Sequence, residues 1–332
     1  MRRKPLLPCI FAAACVSLAA SAVAQSLLVA NQGDHTLSIL SPQSGRLVAT
    51  VTEGVPVEWA HEVAVSADGR TAYLPVYGNS GVGRPGLDGR ELLVVDLASH
   101  KVVHTVDFGH GVRPHLPVLD AQHGLLYVTT ELDDAVTAID VKTLRIVGKI
   151  PTGQKQSHML VLSHDGRLGY TANVGSGTVS VLDMMGKKTL AVIPVAPTVQ
   201  RIAISRDDRF VFTSDQTQPR LAVIDTATRH VARWIDLPGL GYGGAVTQNG
   251  KSLLLAIPSK NAVAVIDLGT MKVVRTIDVA KSPQEVLVRP DGKMAYVSCE
   301  GSGQVAAIDL ANWRVAQLLT AGKFADGLGW AP

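Results

Sequence analysis

The chain has 332 residues, a formal net charge of +3, 46% hydrophobic side chains and 5% aromatics. Three basic residues lie in its first four positions, so residues 25–332 carry 28 basic and 28 acidic side chains. That balance, with no basic stripe, excludes the electrostatic footprint of nucleic-acid binding, and no polybasic or amphipathic segment marks a membrane surface.

Arg2, Arg3 and Lys4 precede the apolar run Leu6 to Ala20, and Ala22-Val23-Ala24 is a small-residue cleavage signature before Gln25. This is the pattern of a secretory signal peptide over residues 1–24. It leaves one domain at residues 25–332, periplasmic or secreted. The apolar run is short for a spanning helix of roughly 20 residues, so the mature chain has no membrane span. Cys9 and Cys15 leave with the leader, and Cys299, alone in the apolar strand AYVSC, reads as a buried inert thiol.

After the leader the same unit recurs. SLLVAN (Ser26 to Asn31) has the pattern of the second strand of a unit, and TLSILSPQSGRLVATV supplies a third and a fourth. HEVAVSADGRTAYLPV (His61 to Val76), HMLVLSHDGRLGYTAN (His158 to Asn173) and QEVLVRPDGKMAYVSC (Gln284 to Cys299) are each an apolar strand, an Asp-Gly-type turn and a second apolar strand. A third strand then ends at Asp96, Asp140, Asp183, Asp225, Asp267 or Asp309, with Ser41 as a seventh equivalent. Successive steps between the six aspartates are 44, 43, 42, 42 and 42 residues. Short strands at a period near 40 predict a β-propeller with one four-stranded blade per repeat. The chain ends in DGLGWAP (Asp326 to Pro332), a first strand that complements SLLVAN. The fold expected is therefore all-β: a seven-bladed propeller whose last blade is closed by strands from both termini. The aspartates ending third strands are assigned to turns, their side chains folding back on backbone amides.

These WD40-like repeats resemble the YVTN β-propeller repeat family, within the quinoprotein and amine-dehydrogenase-like group, over nearly the whole mature chain. The resemblance implies the fold; it does not fix a function. Relatives include secreted binding proteins, lactonase-like enzymes and haem d1-binding domains, so a lactonase-like hydrolase is one implied alternative.

In such propellers first strands line the central channel. Aligning the repeats on the turn places one residue per blade at the strand start: His61, His115, His158, Gln200, Tyr242, Gln284 and Asp326. The ends of second strands fall on the same face by hairpin geometry: Asn31, Glu131, Asn173, Asp215 and Glu300. Arg113, Lys155 and Trp59 lie in loops opening there, whereas alternation turns Glu62 and Arg201 away, between blades. The step from Ser41 to Asp96 is 55 residues, and the surplus Tyr77 to Glu91 is a Gly-rich loop expected above the ring, as a lid or as slack surface. The other seven histidines, His35, His100, His104, His110, His123, His164 and His230, fall in turns, loops or outer strands and are expected to be solvated.

Three readings of the ring stay open. His61, His115 and His158 with an open position suit a divalent, zinc-like metal ion, with Glu131 or Glu62 orienting an imidazole. Without metal, Gln200, Tyr242, Gln284, Asp326, Arg113 and Glu131 bind a small organic ligand, Arg113 or Lys155 steering an anion. The third reading is a protein-interaction scaffold with a water-filled channel. No GxSxG, CxxCH, phosphate loop or dinucleotide fingerprint is present. Non-covalent haem on a channel histidine stays open. Catalytic candidates are His115, His158 and Tyr242, in metal-assisted lactone hydrolysis or in a His/Tyr β-elimination lyase acting on an acidic sugar held by Arg113. The expected partner is a small molecule or metal ion, bound by a monomer.

Overall fold

The computed structural model describes residues 25–79 and 81–332, so the leader expected over 1–24 lies outside the described residues. The described chain forms seven four-stranded antiparallel sheets. Blade 1 runs Ala64–Val65, Thr71–Gly78, Asp88–Asp96, Lys101–Asp107. First strands of blades 2 to 6 are Pro114–Asp120, Ser157–Leu162, Val199–Ile204, Gly244–Val246 and Pro283–Val288. Blade 7 pairs Ala325–Ala331 with Ser26–Asn31, followed by Thr36–Leu40 and Leu47–Thr52. Pairing Ser26 with Ala331 and Leu28 with Gly329 joins the two ends of the described chain, as the complementary sequences predicted. Closure leaves no gap in the ring where an unpaired first strand would be exposed.

Burial explains the strand sequences. Middle strands such as Ala135–Asp140 (AVTAID) are covered on both faces and read as apolar runs. Outer strands alternate: in Lys272–Asp278, Ile277 is buried while Val274 stands in solvent. The core lies between blades, Phe212 and Val223 of blade 4 packing with Leu253 and Ile266 of blade 5. A chain too long for one compact core therefore builds a series of them.

The turn after each third strand is the same object seven times. Asp140 Oδ1 accepts the backbone N–H groups of Lys142 (3.1 Å) and Thr143 (2.8 Å), and Asp183 Oδ1 accepts that of Gly186 at 2.7 Å. Ser41 Oγ does the same for Ser44. The residue four positions on is left-handed in every blade: Gly45, His100, Leu144, Lys187, Arg229, Met271 and Trp313, with φ between 52° and 69°. His100 is thus a turn residue.

Candidate functional site

The first strands start irregularly, and this irregularity builds the site. Pairing with the second strand shifts register between Pro114 and Pro117, Ser157 and Met159, Val199 and Ile202, and Pro283 and Val286. The shifts fall on the ring residues His115, His158, Gln200 and Gln284. A bulge interrupts the alternation of side chains and re-aims them.

The three histidines come together. Ring centroids of His61 and His115 are 5.2 Å apart, and those of His115 and His158 3.7 Å apart with 33° between planes. His115 and His158 are buried, and the His61 side chain keeps 16% of its surface exposed. Tyr77 packs against all three at 4.9, 5.3 and 6.1 Å. It is the first residue of the insertion and is fully buried, so this end of the loop already covers the imidazoles. By sequence alone Tyr77 falls in the loop; its signal is an aromatic residue at the point where an insertion departs from a channel-facing hairpin.

Glu131 organises the cluster. Its Oε2 accepts the Tyr77 hydroxyl at 2.8 Å and lies 3.1 Å from His158 Nδ1. Burial pushes the Glu131 carboxyl up, but these two hydrogen bonds and nearby cationic groups outweigh it and hold it below the usual carboxylate range. Burial also holds His115 well below the usual imidazole value, reinforced by its histidine neighbours, and lowers His158 despite Glu131. With Nδ1 engaged by a carboxylate, His158 is a neutral imidazole whose Nε2 lies 3.5 Å from the Gln200 amide nitrogen. Gln200 donates in turn to the Tyr242 hydroxyl at 2.9 Å. Burial holds Tyr242 above the usual phenol value, so it stays protonated.

Glu62 and Arg201 are a correction. Neither points between blades; Arg201 of blade 4 crosses the channel. It bonds Glu62 of blade 1, Glu285 of blade 6 at 2.7 Å and Asp326 of blade 7 at 3.1 Å, with its guanidinium 4.7 Å above the Tyr242 ring. The bulge between Val199 and Ile202 lets two successive residues, Gln200 and Arg201, both face the axis. Burial holds the Glu62 carboxyl well above its usual range against the pull of Arg201. Asp326 lies below its range, because Arg201 and His61 outweigh its burial. Blades 7 and 1 approach closely here: a Cβ on Gly327 would lie 2.4 Å from the His61 carbonyl oxygen and 2.5 Å from Glu62 Cα, so only glycine fits.

The other expected residues divide. Gln200, Tyr242 and Gln284 are half-buried at the channel, but Gln284 turns its amide back to Ser282. Asp326 lies 3.5 Å from His61 Nδ1 and accepts from Gln32. Arg113 does not offer a free guanidinium: it bonds Asp88 at 2.6 Å and the Arg84 carbonyl at 2.8 Å, pinning the insertion. Lys155 is exposed in its loop. Of the second-strand ends, Glu131 belongs to the site and Glu300 feels the charges of Asp326 and His61. Asn31, Asn173 and Asp215 bond within their own blades, to Ser38, Ser180 and Arg220 for example. Among the described residues no group of three or more His, Cys, Asp or Glu side chains is arranged to hold a metal ion. His61, His115 and His158 pack ring against ring, and two Nδ1 atoms already face Glu131 or Asp326. Cys299 is buried, and burial pushes its thiol up to about 11.

Comparison with known proteins matches this architecture. Hydrazine synthase of Kuenenia stuttgartiensis superposes with a TM-score of 0.73 at 19% identity, covering 86% of this chain and 92% of that one. The dihydro-haem d1 dehydrogenase NirN, solved in complex with DHE, gives 0.66 at 15% identity, covering 91% and 74%. At such identities the likeness is one of fold. No curated protein sequence matches the chain. The YNCE-like β-propeller family matches residues 113–289, more than half of the 332 residues, and with seven blades in place the chain belongs to that family.

Proposed function

We propose that this propeller is a periplasmic or secreted binding protein that takes a small polar molecule, neutral or cationic, at the histidine end of its channel. One observation carries the reading. His61 Nε2, His115 Nδ1, Glu131 Oε1 and Arg201 Nε are buried without a hydrogen-bond partner in the protein. Each such atom costs about 1–3 kcal/mol when unmet, so four in one cluster of side chains favour a guest that supplies donors and acceptors. The charge balance supports a neutral or cationic class. Among the described residues Arg201 is the guanidinium shared by Glu62, Glu285 and Asp326, and Glu131 lies by the histidines, so an added anion is disfavoured.

The elimination of an acidic sugar loses support because Arg113, its carboxylate clamp, is committed to the insertion. The metal readings lose support from the ring-on-ring packing. A non-covalent haem on a channel histidine keeps only the support of the fold likeness to NirN, solved in complex with DHE.

The test is a thermal-shift and calorimetric screen of polyols, amines, sugar acids, haem and divalent ions, on wild type and on the double variant His115→Asn, His158→Gln. The expected result is binding of a neutral or cationic compound, weakened on the order of 10–100-fold in the double variant through lost hydrogen bonds. Binding confined to anions, or unchanged in the double variant, would overturn the reading. Stoichiometric metal released below about pH 6, where imidazoles protonate, would restore the metal site instead.

A further inference from the structure

The Arg201 bridge divides the channel, and the half beyond it has a different chemistry. There the first strands line a cavity of about 400 Å³ with Leu116, Met159, Val161, Ile202 and Val286, opening on the face of the Asp-Gly turns. Turn residues His164, Arg206 and Asp208 form its rim, the Arg206 guanidinium being bonded to Gln248. Besides Asp208 in the turns, the lining has one further acidic residue, Glu285, where its strand reaches the Arg201 bridge. Its Oε2 accepts from Arg201 at 2.7 Å, Oε1 has no partner among the described residues, and 22% of the side chain is exposed. Burial pushes the Glu285 carboxyl up while Arg201 pulls it down, and Arg201 is shared with Glu62 and Asp326, so a cation placed beside Glu285 would complete its pairing.

We propose that this second compartment binds a slender molecule with an apolar body and a terminal ammonium group, its chain along the aliphatic first strands and its head on Glu285. Apolar walls alone would accept any oily molecule. The unshared oxygen of Glu285 selects a cationic head, because an alkyl carboxylate would set a second acidic group against it with no added cation. The site is separate from the histidine compartment and draws on none of its imidazoles.

The experiment titrates n-alkylammonium ions from ethyl to hexyl into the purified protein by calorimetry, with n-alkanols and n-alkanoates of equal length as controls. A carbon-13 label on methionine methyls lets Met159 report occupancy of the cavity. Affinity for the ammonium series should rise about fourfold per methylene, and at equal length fall from ammonium to alkanol to alkanoate. Glu285→Gln should abolish the preference for ammonium over alkanol and keep the length dependence. Val161→Phe should weaken every ligand by filling the cavity; if that variant does not fold, the Met159 shift in wild type decides. Equal binding of alkanoates, no dependence on chain length, or an unmoved Met159 signal would overturn the proposal. His115→Asn with His158→Gln should leave these affinities unchanged, so failure of either site is read separately.

Discussion

The outer rim and the axis of this propeller are built from the same repeat and treat it in opposite ways. At the rim seven turns share one design: a short polar side chain caps the amides that follow, and a left-handed residue stands four places on. At the axis no such uniformity exists: three blades bring histidine, two glutamine, one tyrosine and one aspartate. The rim repeats because every blade faces the same local problem, a tight return to its outer strand. The axis varies because seven strand starts share one space and must satisfy one another. Features repeated in every blade are construction, and features that differ between blades carry the chemistry.

The hardest blow to this contrast falls on the axis. Arg201→Met leaves Glu62, Glu285 and Asp326 without their shared cation, and breaking a buried pair from one side costs about 3–5 kcal/mol. Urea denaturation should show that loss, and adding Glu62→Gln should recover part of it. A loss under 1 kcal/mol would mean that the bridge is solvated and that the channel is not divided.

A milder test uses protons. His115 and His158 are held neutral by burial, below the usual imidazole range. A group with a lowered folded value binds protons more readily when unfolded. Its stabilisation is complete above the ordinary histidine pKa of about 6.5 and is lost as the pH falls through that value toward the folded one. The melting temperature should therefore decline on acidification from about pH 7 to 5, and His115→Asn with His158→Gln should flatten that limb relative to wild type. Parallel profiles would show that the imidazoles are not buried in solution.

The rim responds least and with the opposite sign. Arg229 is exposed and left-handed at φ 57°, where glycine meets no steric penalty. Arg229→Gly should stabilise the protein by about 0.5–1 kcal/mol in the same denaturation assay. Destabilisation would mean that the turn draws on the arginine side chain itself.

The architecture was legible in the sequence because its signals are local. The pattern strand, Asp-Gly turn, strand, Asp fixes each blade by hydrogen bonds spanning a few residues, and SLLVAN and DGLGWAP announced their pairing by composition. The histidine ring was legible for the same reason, since equivalent repeat positions must meet at the axis. Alternation alone misplaced Glu62 and Arg201, because a bulge is a matter of pairing register. Arg113 looked free because nothing near it in sequence shows that Asp88 and the Arg84 carbonyl wait 2.6 and 2.8 Å away.

By itself the sequence determined that seven similar blades would form, where each would turn, and that one residue per blade, three of them histidines, would start the channel-lining strand. Only the tertiary structure decided which of those residues touch. It set Tyr77 over three imidazoles, ran Arg201 across the channel to three carboxylates, and left an aliphatic compartment beyond it. The reason is distance along the chain. A turn is closed by neighbours, whereas Arg201 and Glu62 are 139 residues apart and meet only when the ring has shut.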